Sequence, residues 1–269
     1  MEINEYNIQD YFKQNEIKQD ITNALIEDRV EAFFQPIYST KKKKFTTAEA
    51  LMRIRQENGT LLPPNLFIPV AESTGLIMPL GERIFEKVCR FLKESNIREL
   101  GIEYIEINLS IVQCEQDDLA ERLIQIMKQY EIPASWINLE ITESATYNSK
   151  RKVLKNISKL RDHGIEFSLD DFGKGQSNLM YMVEMPVSIV KLDMDLSKAY
   201  FSIPKAKNVV DSVAEMAHGM GLKLVAEGIE TKEELDGIIE PGIDYIQGFY
   251  FSKPLPEAEF LEFIAEKNA

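Results

Sequence analysis

Polar residues recur along this chain at the ends of short, strand-like apolar runs. The runs read YIEINLS, WINLEITES, EFSLDDFG, SIVKLDM, KLVAEGIE and DYIQGFYF, and they carry Asn108, Glu140, Asp170 with Asp171, Lys191, Glu227 and Gln247. Acids and amides are poor strand formers, so their repetition there needs a reason. Asn108 and Glu140 are 32 residues apart, and Glu140 and Asp170 are 30 apart. That is about one strand-plus-helix unit of an eightfold barrel of ~250 residues, in which the strand C-termini converge on one mouth.

The remaining pattern fits the same architecture. Residues 1–16 are polar and aperiodic and read as an N-terminal arm or linker. Ile17, Ile21, Ala24 and Leu25 have helical spacing and predict a helix to about Asp28. VEAFFQPIYST and FTTAEALMRI flank the lysines at 41–44 and predict a hairpin, so the first strand runs antiparallel to the second. PPNLFIPVAESTG reads as a loop with a short helix, and LGERIFEKVCRFLKE as a helix covering the sheet. Strands near 104–110, 137–143, 166–171, 189–193, 223–228 and 245–251 then alternate with helices near 117–129, 150–162, 177–183, 206–219, 231–239 and 256–267. The expected fold class is α/β: a TIM-like (β/α)8 barrel over residues 17–269, with its first strand antiparallel to the others.

Composition narrows the partners. The 269 residues are 44% hydrophobic, enough for a large core, and the net charge of −13 disfavours a nucleic-acid polymer or an anionic membrane. An anionic ligand stays possible, because bound divalent cations reverse the sign locally. Cys89 and Cys114 match no metal or redox spacing and read as buried small hydrophobes. With no signal-peptide core at the N-terminus, the expected location is the cytoplasm. No apolar run approaches the ~20 residues of a membrane span.

Side chains alternate faces along a strand. The inward layer at the mouth therefore holds Glu49, Asn108, Glu140, Asp170, Lys191, Glu227 and Gln247. Asp171 joins them if its strand ends or bulges there. Several carboxylates cannot stay ionised side by side without cations, and Lys191 is one ammonium. The two histidines, His163 and His218, fall in a turn at the opposite end and on a helix. The metal is then oxygen-ligated, Mg²⁺ or Mn²⁺. Adjacent Asp170 and Asp171 suit two divalent cations, the usual apparatus of phosphoester hydrolysis. Glu106 points either inward, one layer below, or outward at a bulge. The lysines at 41–44 read as solvated charge at a hairpin tip, and Met180, Met182 and Met185 as fillers of core gaps.

These residues resemble the EAL-domain family of cyclic di-GMP phosphodiesterases. The name motif stands as Glu49-Ala50-Leu51, extended to Arg53, and FFQPIYS, LFIPVAESTGLI, INLS, LEITES, SLDDFGKGQSN, IVKLD, LVAEGIET and QGFYFSKPLP are similar to the family's blocks in order. The resemblance implies hydrolysis of cyclic di-GMP to linear pGpG with Mg²⁺ or Mn²⁺. It assigns one metal to Glu49, Asn108, Glu140 and Asp170. The second falls to Asp170 and Asp171, with Glu227 nearby as ligand or proton acceptor. Lys191 would orient the attacking water and offset phosphoryl charge. Gln35, Leu51, Arg53, Gln247 and Pro254 match substrate-groove positions, and Glu143 and Glu230 match positions that steady the ligands.

One stretch departs from the pattern. Where the family commonly reads DDFGTGYSS, this chain reads Asp170-Asp171-Phe172-Gly173-Lys174-Gly175-Gln176-Ser177-Asn178. In the family this loop supports the second metal and contributes to dimer contact. The alternative function is therefore a weak or inactive cyclic di-GMP receptor. The family also implies a homodimer and an N-terminal sensor or GGDEF domain as partners.

Overall fold

The hairpin and the parallel strands close on each other into a barrel. The computed structural model describes residues 5–142, 150–174 and 179–269. The chain opens with α1 (Glu5–Ile26), the hairpin β1 (Val30–Ser39) and β2 (Lys44–Arg55), the short β3 (Leu61–Leu62), then α2 (Pro64–Thr74) and α3 (Ile77–Glu94). Next come β4 (Tyr104–Asn108), α4 (Ile111–Cys114) and α5 (Leu119–Tyr130), followed by β5 (Ile137–Thr142), α6 (Lys150–Asp162), β6 (Glu166–Phe172) and α7 (Met180–Glu184). The chain continues through β7 (Ile189–Leu192), α8 (Met194–Ser202), α9 (Pro204–Gly219), β8 (Lys223–Ala226) and α10 (Lys232–Ile238) to β9 (Tyr245–Ile246), β10 (Leu255–Pro256) and α11 (Glu257–Lys267).

Strands β2 and β4 to β9 run parallel in chain order, and β1 closes the ring antiparallel to both β9 and β2. The result is a closed eight-stranded barrel with β1 reversed, as the hairpin pattern predicts. Between sheet and helices lies the main core, where outward residues such as Ile107, Leu139, Phe167, Val190 and Leu224 meet Val88, Leu123, Ile157 and Ala214. A second cluster seats α1: Ile17, Ile21 and Ala24 pack with Ile54, Phe67 and Leu80. A third, Ile37, Ile189, Val225 and Tyr245, has the inward parity of its strands and fills part of the barrel interior.

Several elements differ from the pattern reading. Helix α1 begins at Glu5 rather than near Ile17. Its first turns lack a sustained apolar stripe of the kind that announces a helix. Helices α4 and α8 were not expected. Each is started by a side chain: Ser110 accepts from Val112 N at 3.2 Å, and Asp193 from Asp195 N at 2.8 Å. Strand β9 stops at Ile246 instead of running to 251. A Cβ on Gly248 would lie 2.0 Å from the Ile229 carbonyl oxygen, so the backbone turns against that segment where only glycine fits. Met182 and Met185 are buried, but Met180 is 49% exposed and so is not a core filler. Cys89 and Cys114 are buried free thiols, and burial pushes both up to about 12.

Candidate active site

Lys191 stands at the centre of the mouth with none of its side chain exposed. Its ammonium lies 2.6 Å from Glu140 Oε1, 2.9 Å from Glu227 Oε1, 3.3 Å from Glu49 Oε2 and 3.8 Å from Glu106 Oε2. Amides hold the rest of the Glu49 carboxylate: Asn108 Nδ2 donates to Oε1 at 2.6 Å, and Gln247 Nε2 donates to Oε2 at 2.7 Å. Gln247 Nε2 also donates to Gln35 Oε1 at 3.1 Å, and Gln35 Nε2 donates to the Ser252 carbonyl at 3.2 Å. Strands β1, β2, β4, β5 and β7 and the segments after β8 and β9 thus meet in one connected network, because each carries an inward polar residue at the level of the mouth.

The carboxylates titrate according to this geometry. Burial alone would raise Glu49, but Lys191 and the amide donors of Gln247 and Asn108 hold it below the usual range. Burial and the neighbouring Glu49 charge push Glu140 well up. Burial, with Glu49 and Asp171 adding to it, raises Asp170 to about 6. Glu227 rises to about 8 through burial and the charges of Asp170 and Glu49. Burial disfavours the Lys191 ammonium, but Glu140, Glu227 and Glu49 outweigh it and hold its pKa well above the ordinary value.

Asp171 sits beside this group at a break in the ladder. The β6–β7 register shifts between Leu169 and Phe172, and Asp171 has φ 58°, so the bulge reaims it relative to Asp170. Its Oδ1 takes Lys174 Nζ at 3.0 Å, and Asp193 Oδ2 lies 4.0 Å from the same ammonium.

Two cavities open on the cluster. One, of about 290 Å³, is walled by Leu51, Arg53, Ile68, Ile77, Ile107 and Glu72, with Glu49, Asn108 and Glu140 at its floor. The other, of about 260 Å³, lies among Gln35, Asp170, Glu227, Glu230, Gln247 and Phe249, and shares Glu49 and Leu51 with the first.

A family model for the EAL domain matches residues 18–254. This chain belongs to the EAL domain family.

The EAL domain is 34% identical over 247 residues to the signaling protein YkoW of Bacillus subtilis, covering 92% of this chain and 31% of that protein. It is 36% identical over 228 residues to the probable cyclic di-GMP phosphodiesterase PdeB of Escherichia coli, covering 85% of this chain and 43% of that protein. The chain thus spans less than half the length of these curated relatives. Among solved structures, the EAL enzyme Bd1971 in its cAMP and cyclic-di-GMP bound form superposes with a TM-score of 0.87 at 31% identity, covering 95% of this chain and 70% of that one. The PaMucR phosphodiesterase in complex with c-di-GMP gives 0.84 at 27% identity, covering 91% and 99%.

Membership in this family implies a divalent-metal-dependent mechanism in general. The donors of this EAL domain fit such ions. They are carboxylates and an amide oxygen, and Glu140 Oε2 is buried without a hydrogen-bond partner. Among the described residues, no three acidic, histidine or cysteine side chains already surround one point as a metal-binding group. Instead Glu49, Glu140 and Glu227 turn onto the Lys191 ammonium.

The other expected groove residues are spread around the rim. Arg53 donates from Nη1 to the Met52 carbonyl at 2.9 Å and lies 5.8 Å over the Phe33 ring. Glu230 pairs with Lys198 at 2.7 Å. Pro254 lies just before β10 and lines neither cavity. Glu143 and loop residues 175–178, Gln176 included, lie outside the described residues. His163 and His218 stand away from the mouth, before β6 and on α9. Glu106 resolves to the inward orientation, with 0% exposure.

Sequence reasoning missed Glu72. Its Oε1 accepts from Ser110 Oγ at 2.6 Å and so ties α2 to the turn after Asn108. The only available signal was a carboxylate inside the apolar run FIPVAE, which reads equally well as a helix-end residue.

Proposed function

We propose that this chain hydrolyses cyclic di-GMP to linear pGpG in the bacterial cytoplasm. The observation that carries this reading is the single network of Glu49, Asn108, Glu140, Lys191, Glu227 and Gln247, with Asp170 beside it and a cavity on either side. It is supported by family membership and by the similar PaMucR structure, whose description names c-di-GMP. Glu49, Asn108, Glu140 and Asp170 would hold one Mg²⁺ or Mn²⁺, and Asp170 with Asp171 the second. Such ions, when bound, activate water and neutralise phosphoryl charge.

The chain's own groups supply the rest. Arg53 and Gln35 would bind substrate at the rim. Lys191 Nζ orients the water and offsets charge growing on the phosphoryl oxygens. Glu227 takes the proton from that water as its oxygen bonds to phosphorus. The P–O3′ ester bond breaks, and the departing O3′ takes a proton from solvent, matching the one passed to Glu227. Residues 17–269 would form this unit, with 1–16 as arm or linker. A homodimer and an N-terminal sensor or GGDEF domain belong to the same proposal.

The test follows pGpG formation by chromatography, beside equilibrium binding of cyclic di-GMP. Turnover should require Mg²⁺ or Mn²⁺ and vanish with EDTA, and Glu49→Ala should abolish it. Near-wild-type activity in that variant would refute the ligand assignment. A second reading, a receptor, is favoured by one observation: Lys174 already neutralises Asp171. Tight binding without product would establish it.

A further inference from the structure

Beneath the mouth, the barrel interior is divided in two. Two residues before Glu49, Asn108, Glu140 and Asp170 on their strands stand Thr47, Glu106, Asn138 and Ser168, at most 1% exposed. The same depth on the remaining strands is apolar: Ile37, Ile189, Val225 and Tyr245. Among the described residues the polar half therefore lies under the four strands that carry the proposed ligands. Within it Ser168 Oγ donates to Asn138 Oδ1 at 2.8 Å. Glu106 is the register neighbour of Glu49 on one side and Asn138 on the other.

Glu106 is the charged member of this layer. Neither of its carboxylate oxygens takes a nitrogen or hydroxyl donor; the Glu140 carboxyl lies within hydrogen-bond reach of it, and once Glu140 is ionised a cation is needed to compensate the buried charge. Among the described residues its ion-pair partner is Lys191, at 3.8 Å. Glu49, Glu140 and Glu227 also face that ammonium, and all three are at the mouth. A carboxylate engaged by a divalent ion has less charge to offer a neighbouring ammonium. Glu106 lies about 6–7 Å deeper along its strand than Asn108, below the layer of proposed ligands.

We propose that Glu106 is a positioning residue: it holds the Lys191 ammonium from below when Glu49 and Glu140 serve cations. The inference rests on the hydrolytic reading of the mouth. It assigns a role to a carboxylate that the ligand set does not use. The polar half of the layer gives that carboxylate a place among side chains of its own kind, and Lys191 gives it a charge partner.

The test compares the wild-type chain with Glu106→Gln, which keeps shape and removes charge, and Glu106→Asp, which keeps charge. Thermal melts establish that each variant folds. At saturating Mn²⁺ we expect Glu106→Gln to lose about 10–100-fold in kcat with KM unchanged, the range for groups that orient others. Glu106→Asp should recover part of the loss, and Thr47→Val, equally buried, should lose nothing. A Glu106→Gln kcat within about twofold of wild type, or one restored by more Mn²⁺, overturns the proposal, as does an equal loss in Thr47→Val.

A second readout is independent of turnover. The ¹⁵N signal of the Lys191 ammonium, assigned by its absence in Lys191→Met, should stay sharp in the Mg²⁺-loaded wild type and broaden in Glu106→Gln. Identical signals overturn the positioning role even in an inactive chain. Absent turnover with a signal that responds to Glu106 overturns only the hydrolytic reading.

Discussion

Lys191→Met removes an ammonium that faces four carboxylates while leaving a side chain of similar length. We expect kcat to fall by about 10²–10³-fold, as when one preorganised electrostatic group is lost. pGpG assays would check this, and an unchanged rate would remove Lys191 from the mechanism. The same cluster sets the pH response of the metal-free chain. Glu140, Asp170 and Glu227 have folded pKa values above their unfolded ones, the last two at about 6 and about 8. The folded state thus binds more protons than the unfolded one between about pH 4 and 8, and stability falls as pH rises. Melting in EDTA should give a lower Tm at pH 8 than at pH 5, and Mn²⁺ should reduce the difference. A Tm that rises over this interval would refute the raised values. At this scale the sequence was legible wherever a polar residue ended an apolar run. Glu72 was not, because its importance comes from α2 meeting the turn at Ser110, a contact no local pattern encodes.

Two elements carry predictions of their own. The bulge and loop after β6 place Lys174 on Asp171 as a tethered cation. Lys174→Thr should lower the Mn²⁺ concentration for half-saturation by about two- to fivefold, since exposed pairs are weak. Calorimetric titration measures this, and an unchanged midpoint would make the substitution neutral for metal binding. Helix α1 is fastened by Ile17, Ile21 and Ala24 and by Gln56 Nε2 donating to Asp20 at 3.1 Å, and the turn after it by Arg83 and Lys87 on Asp28 at 2.8 and 2.9 Å. Ile21 is fully buried, so Ile21→Ala should destabilise by about 2–5 kcal/mol in denaturant unfolding. A loss under about 0.5 kcal/mol would mean that α1 is not part of the cooperative unit. The hairpin, the parallel strands and the long amphipathic helices could be read from period alone. Helices α4 and α8 could not, being short and started by local caps, a reciprocal Ser110–Gln113 box for α4 and Asp193 for α8. The end of β9 could not either, because a close backbone approach at Gly248 decides it.

For the whole molecule, closure was legible because eight runs alternated with helices and the first two were joined too tightly to be parallel. What the pattern left open was the interior. Alternation placed Glu106 inward, but a bulge would have reversed it, and the bulge occurs instead at Asp170 and Asp171. Division of the barrel into polar and apolar halves is a property of neighbouring strands and is invisible along any one of them. Among the described residues, no helix is long and apolar enough to cross a membrane.

The two cavities share Glu49 and Leu51 but are otherwise unlike, one walled largely by aliphatic side chains and the other by acids, amides and glycines. Cyclic di-GMP is a ring of two identical halves. Seated across Leu51, it would meet two different chambers and lose its equivalence on binding. Only one of its two phosphates could then lie over Glu49, which both cavities share. After one such cut the molecule would no longer be a ring, and presenting its second phosphate would require it to leave and bind again. One bond broken per visit would follow from the shape of the vessel rather than from any limit of the chemistry inside it.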